Sequence, residues 1–159
     1  MIWQRFIRFG LAISGHPGFL LAKKILRTQK VSSSTEISVL DLGGGHGRPW
    51  KVARLFLKDS TSSIKVTVVD EMVPDNHVLE DLEGFNLQRA RGDLMTFCAG
   101  LDDNSIDVVI LLDVLEHLPK HTGWKLLYEI TRIAKHGVGI SVPNGFDWQP
   151  PSQDNPYQA

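Results

Sequence analysis

Residues 37–42, Ile-Ser-Val-Leu-Asp-Leu, run straight into Gly43-Gly44-Gly45-His46-Gly47. An extended apolar run that ends in glycines at alternate positions (Gly43, Gly45 and Gly47) ends in backbone with no side chain on it. Such backbone suits a sharp strand-to-helix turn or the close approach of another molecule. Asp41 lies two residues ahead of the first glycine, so a carboxylate sits near the end of an otherwise apolar strand. The plainer alternative is an ordinary tight turn with no ligand.

Four more runs place this segment in a fold. Ile64-Lys-Val-Thr-Val-Val-Asp70 is β-rich and ends in an acid. Phe85 to Arg91 is followed by Gly92-Asp93-Leu94. Ser105 to Asp113 is almost wholly apolar after Asp107, as a strand buried on both faces should be. Val138-Gly-Ile-Ser-Val-Pro143 is the last. Between the last two, Lys120–Lys135 carries apolar residues at 124, 127, 130, 133 and 134, which is helical spacing. Strands alternating with helices predict an α/β fold with a doubly wound, mostly parallel sheet. The expected strands are β1 (37–42), β2 (64–70), β3 (86–91), β4 (106–112) and β5 (138–142). Right-handed crossovers allow the order 3-2-1-4-5, with a switch point between β1 and β4. Asp41, Asp70, Asp93 and Asp113 then all fall at or just past C-terminal strand ends, where such sheets bind ligands.

The glycine frame discriminates between ligands. A dinucleotide fingerprint would need its third glycine at position 48, which is Arg48. An acid at 41 would repel a pyrophosphate but tolerates a cationic ligand. Asp70 lies 23 residues past Gly47, near the offset expected of an acid that grips ribose hydroxyls; the alternative is a solvated strand-end acid. Taken in order, Asp41-Leu-Gly-Gly-Gly-His-Gly47, Val69-Asp70, Gly92-Asp93-Leu94, Asp113-Val-Leu-Glu-His-Leu118 and Ile140-Ser-Val-Pro-Asn144 resemble the motifs of class I S-adenosylmethionine-dependent methyltransferases. The likeness is to the branch with V-L-E-H-L after β4, and it covers about residues 35–145. It implies a Rossmann-like core with S-adenosyl-L-methionine as cofactor. The loop of Gly43, Gly44, Gly45 and Gly47 would face the methionine moiety and Asp70 the ribose. Asp93 would meet the adenine amino group, with Leu94 and Met72 flanking the ring. Backbone near Leu112 would help hold the methionine ammonium, and Asp41 and Asp113 complete the implied set.

The candidate catalytic residues are Glu116 and His117. If a helix begins near Val114, Asp113, Glu116 and His117 converge at the mouth of β4. The unperturbed pKa of histidine suits proton removal near neutrality. The alternative is that Glu116 and His117 only fix the loop and the first helical turn. No metal is expected, although the spacing also resembles an E-x-x-E-H metal site. The segment after β4 is not of the N-P-P-Y or D-P-P-Y type, which argues against that branch's methylation of nucleobase or glutamine nitrogens. Direct displacement at an activated sulfonium relies mostly on proximity and orientation. The expected acceptor is a small or lipid-like molecule, with no nucleic-acid partner. The competing reading is a truncated or inactive fold that binds S-adenosylmethionine or a partner; a nucleotide-dependent oxidoreductase is disfavoured by the glycine frame.

The chain of 159 residues has a net charge of −1, but the average hides an asymmetry. Residues 1–30 hold six basic residues and no acid, leaving 11 basic residues against 18 acids in residues 31–159. Three segments are expected: a basic amphipathic helical stretch (1–34), the cofactor-binding core (35–145) and a Pro-rich tail (146–159). Within residues 1–14, Trp3, Phe6 and Phe9 beside Arg5 and Arg8 fit a helix lying on an anionic membrane. A cap over the ligand site and a transit sequence are the other readings. No apolar stretch is long enough to span a bilayer. A lone Cys98 favours a reducing compartment, and the expected location is cytoplasmic with membrane association. Few residues follow β5, three of them between 150 and 156 being proline, so the two further strands of the family sheet are expected to be missing. A core truncated in this way should expose the β5 edge, self-associate and turn over poorly.

Overall fold

The computed structural model describes residues 22, 24, 36–45, 63–72 and 85–143. Five parallel strands form one sheet in the order β3-β2-β1-β4-β5. They are β1 (Ile37–Leu42), β2 (Ile64–Asp70), β3 (Phe85–Arg91), β4 (Ile106–Leu112) and β5 (Ala134–Ser141). The order is the expected one, and it puts the reversal of winding between β1 and β4.

Side chains alternate along each strand, and both faces are buried. Ile37, Val39, Ile64, Val66, Val68, Leu87, Val108 and Ile110 form one apolar layer. Ala22, helical and buried, belongs to the same layer, so part of the basic N-terminal stretch packs on the sheet. Leu40, Leu42, Val69, Val109 and Leu111 form the other layer, under two helices. These are α1 (Leu94–Ala99) and α2 (Lys120–Ile133). Apart from Ala22 and Lys24, residues 1–35 lie outside the described residues, as do all of 144–159, so the membrane-helix and tail expectations fall there.

Asp93 starts α1 as its N-cap. Its Oδ1 accepts from the Thr96 amide at 2.8 Å and from Thr96 Oγ1 at 2.7 Å. These bonds hold its carboxyl below the usual carboxylate range. The cap is therefore at full strength at neutral pH and weakens as pH falls through that lowered value.

Three expectations need correction. First, no α-helix begins near Val114: Leu115–His117 is a single 3-10 turn, Leu118 is extended, and α2 starts only after Pro119. A residue before proline is pushed out of the helical region, which is why the chain cannot run through. Second, Trp124 is not on the buried face. Gly123, Leu126, Ile130 and Ile133 face the sheet, and Trp124 is exposed. Third, β5 begins at Ala134 rather than 138, because α2 passes into extended backbone with no intervening turn. Polar Lys135 and His136 disguise that start. Both approach Asp107, at 3.8 and 3.4 Å, across an irregularity in the β4–β5 register. Asp107 also accepts from the Ser38 amide and hydroxyl, each at 2.8 Å, and so ties β1 to β4 at the sheet's N-terminal end.

Arg132 locks α2 to α1. Its five N–H donors make five bonds: two to Glu129, one to Asp103, and one each to the carbonyls of Leu101 and Cys98. Cys98 itself is fully buried, and burial beside Glu129 pushes its thiol up to about 11. Both burial and the scarcity of thiolate oppose reaction. Cys98 should therefore ignore a disulfide reagent at neutral pH in the folded protein and react completely in denaturant. Rapid labelling without denaturant would show that the α1–α2 layer opens readily.

Candidate active site

The five strands deliver their C-terminal ends to one rim. Three bonds extend the ladder beyond the strands: Gly43 amide to Val69 carbonyl (2.8 Å), Gly92 amide to Asp70 carbonyl (3.4 Å) and Asp113 amide to Ser141 carbonyl (2.9 Å). The loops that follow thus leave the sheet from fixed positions.

The glycine loop is shaped by what lies beneath it. Gly43 and Gly45 have φ of +74° and +53°, conformations that L side chains rarely adopt. A Cβ on Gly43 would strike the Val114 side chain, and one on Gly44 would strike the Asp41 carboxylate and come within 2.9 Å of Val68. Gly45 faces open space. The loop therefore lies flat on Val114, two residues past β4, and on Asp41 from β1, with its third glycine free to meet a ligand. Asp41 is 1% exposed, a carboxylate inside the apolar layer directly under the loop. Gly47 lies outside the described residues, as does His46.

Asp70 holds the loop from the side. Its Oδ2 accepts from the Gly45 amide at 2.9 Å and its Oδ1 from the Met72 amide at 2.8 Å. One carboxylate thus fixes two loops, those after β1 and β2. Each oxygen retains a further lone pair. Beside it, Met72 is 79% exposed, an apolar side chain standing in solvent at the rim. Gly92 and Asp93 follow β3, with Leu94 part-buried on the α1 side. Because Asp93 caps α1 through Oδ1, only its second oxygen is left to meet a ligand.

At the end of β4, Leu112 is part-buried and pairs with Ser141. Asp113 follows with φ of +53° and is exposed. Strained backbone of this kind persists only where the surroundings impose it. Here its amide is bound to β5, and the Ser141 hydroxyl lies 3.5 Å from its Oδ1. The 3-10 turn then carries Glu116 exposed and His117 part-buried. No hydrogen bond joins either side chain to another described residue. Since no α-helix starts at 114, Asp113, Glu116 and His117 do not share a helical face. Among the described residues no three His, Cys, Asp or Glu side chains are grouped to hold a metal ion. Two contributors went unread in the sequence. Val114 is the floor of the glycine loop, and Ser141 is the partner of Asp113; an apolar residue and a serine in a strand carry no signal of either role.

Residues 40–141 match the model of the methyltransferase domain family. The chain belongs to the class I S-adenosylmethionine-dependent methyltransferase family. The match runs from within β1 to the end of β5 and contains Asp41, the glycines at 43–45, Asp70, Met72, Asp93 and Asp113. No curated protein matches the sequence. Among solved structures, the chain is similar to LepI in complex with S-adenosylmethionine, at 14% identity and a TM-score of 0.50, covering 85% of this chain and 32% of that one. It is also similar to a SAM-dependent methyltransferase from Archaeoglobus fulgidus, at 22% identity and a TM-score of 0.45, covering 74% and 48%. A third is the methyltransferase CalH in complex with S-adenosylhomocysteine, at 16% identity and a TM-score of 0.48, covering 75% and 35%. The chain thus spans less than half the length of these structures.

The loop geometry separates two neighbouring glycines. Gly44→Ala should destabilise the fold by about 1–3 kcal/mol, because Asp41 and Val68 are both buried and neither has room to move. Gly45→Asn should stay within about 0.5 kcal/mol, since asparagine tolerates a left-handed backbone and the space there is open. Urea denaturation of the two variants checks the order; a tolerated Gly44→Ala would mean that the loop does not rest on Asp41.

Proposed function

We propose that this domain binds S-adenosylmethionine across the β1/β4 crevice and transfers its methyl group to a small or lipid-like acceptor. The observation that carries the reading is the Asp70 bridge, in which a strand-end carboxylate is bound to bare glycine backbone at 2.9 Å. That arrangement supplies a loop that a ligand can approach closely and an anionic acceptor within one site. The chemistry of the rim fits the group. Asp41, Asp70, Asp93 and Asp113 surround the strand ends, a balance that suits a sulfonium and an ammonium and opposes a pyrophosphate.

In this reading Asp70 accepts from the ribose hydroxyls with its remaining lone pairs while keeping Gly45 and Met72 in place. Met72 and Leu94 cover the adenine faces, and the free oxygen of Asp93 takes its amino group. Gly43, Gly44, Gly45 and Gly47 line the methionine side, over the charge of Asp41. Leu112 and Asp113 offer a carbonyl and a carboxylate to the ammonium. When bound, S-adenosylmethionine supplies a methyl group on a cationic sulfur, which an acceptor lone pair takes by direct displacement. The domain's contribution is then mainly orientation. His117, followed by extended Leu118 and Pro119 at the rim, is the proposed general base for an acceptor that must lose a proton, with Glu116 beside it. The carboxylates and the V-L-E-H-L turn support these roles; the acceptor is the least constrained part.

S-adenosylhomocysteine should raise the melting temperature by mass action, and NAD should not. Stabilisation by NAD alone would defeat the reading. Within the site, Asp70→Asn should weaken S-adenosylhomocysteine by roughly 1.5–3 kcal/mol. The substitution removes the charge, and it must also turn an amide NH2 toward either the Gly45 or the Met72 N–H, where an acceptor is required. Calorimetric titration showing unchanged affinity would mean that Asp70 serves the loop alone.

A further inference from the structure

Four large apolar side chains among the described residues are exposed: Met72, Val142, Trp124 and Tyr128. The first two stand at strand ends on the rim. Trp124 and Tyr128 do not; they lie one helical turn apart on the outer face of α2, 62% and 68% exposed. Residues four apart share one face. Around them on that face stand Lys120, His121 and Lys125, all exposed. The single carboxylate of α2, Glu129, is bound to Arg132 at 2.7 Å, and the nearest acid at the helix's far end, Asp103, is bound to the same guanidinium. The outer face of α2 is therefore aromatic and basic, in a portion of the chain (31–159) that is acidic as a whole.

We infer that the Lys120–Tyr128 face of α2 docks on an anionic lipid surface. Trp and Tyr have an apolar ring and a polar edge, which suits the headgroup boundary, and lysine stems can lie along it while their ammonium groups reach lipid phosphates. An acidic peptide is the competing partner, and the donor set disfavours it. The one guanidinium of α2 has all five N–H groups committed internally, so the face offers mobile point charges and no fork to read a carboxylate in fixed geometry. Point charges and rings suit a diffuse anionic surface. The sequence adds an independent observation: residues 1–30 also combine aromatic and basic side chains without an acid. The inference does not depend on the methyl-transfer reading.

The test is co-sedimentation of the full chain with phosphatidylcholine vesicles, with and without phosphatidylserine. The chain should bind the anionic vesicles and be released by salt. Lys120→Glu with Lys125→Glu should lower partitioning by about five-fold or more per lysine. Trp124→Ser with Tyr128→Ser should lower it as well. Unreactive Cys98 in each variant verifies that the fold is intact. Brominated lipid should quench tryptophan emission in the parent chain, and less in Trp124→Phe. Failure of the parent chain to bind, or binding unchanged in both double variants, overturns the inference; the latter result would assign binding to residues 1–30 instead. Binding of polyglutamate with loss in the lysine variants, and none of vesicles, would assign the face to an acidic polypeptide.

Discussion

A parallel sheet covered on both faces can present polar chemistry only at its strand ends, and this constraint organises the molecule. The two apolar layers occupy nearly every alternating position of β1, β2 and β4. Asp41 is the single buried acid among the described residues, and it is the penultimate residue of β1, under the glycine loop. The two ends of the sheet are used differently. At the N-terminal end, Asp107 gathers Ser38, Lys135 and His136 into a local cluster that pins β1, β4 and β5 together. At the C-terminal end, Asp70 spends its bonds on backbone amides of two loops and keeps lone pairs in reserve. The same residue type thus acts as a clamp at one end and as an organiser of open backbone at the other.

Those contrasting roles explain what was legible in the sequence. The strands β1, β2 and β4 are readable because burial on both faces forces continuous apolar runs. The start of β5 is not, because Lys135 and His136 answer to Asp107, a long-range partner that no local pattern reveals. The position of α2 is readable from its period, but its phase is not. Leu126, Ile130 and Ile133 are fully buried and set the phase of the helix, which buries Gly123 and turns Trp124 outward although it is the larger apolar residue. Counting apolar positions gives the period of a helix; the side chains that pack beneath it decide which of those positions are buried.

The site divides along the same line. Its carboxylates and glycines declare themselves because each needs one residue type: only glycine fits over Val114 at positive φ, and only an acceptor on both oxygens satisfies Gly45 and Met72 together. Asp93 shows the limit of that logic. The sequence pattern implied a contact with adenine, whereas the structure engages Oδ1 as the cap of α1. The two roles are compatible only through the second oxygen. A cap that fixes the carboxylate's direction would also present that oxygen to a ligand without further loss of side-chain freedom.

The region after β4 is governed by Pro119. The 3-10 turn holds Glu116 and His117 at the rim for three residues, and the extended Leu118–Pro119 step then resets the chain into α2. A continuous helix from Val114 would have turned Glu116 and His117 into one more layer over the sheet. The interruption instead leaves both side chains without hydrogen bonds to described residues, next to an Asp113 whose positive φ is held by β5. In the proposed reading, proton transfer is the only chemical task left to the protein, since the methyl group arrives activated. In that reading an imidazole with no hydrogen bond to a described residue, on a short, proline-terminated turn, would move to meet acceptors of different shape, whereas one locked on a helix would serve a single geometry. The same reading would confine precise positioning to the cofactor side, where Asp70, Asp41 and Val114 fix the backbone, and adaptability to the acceptor side.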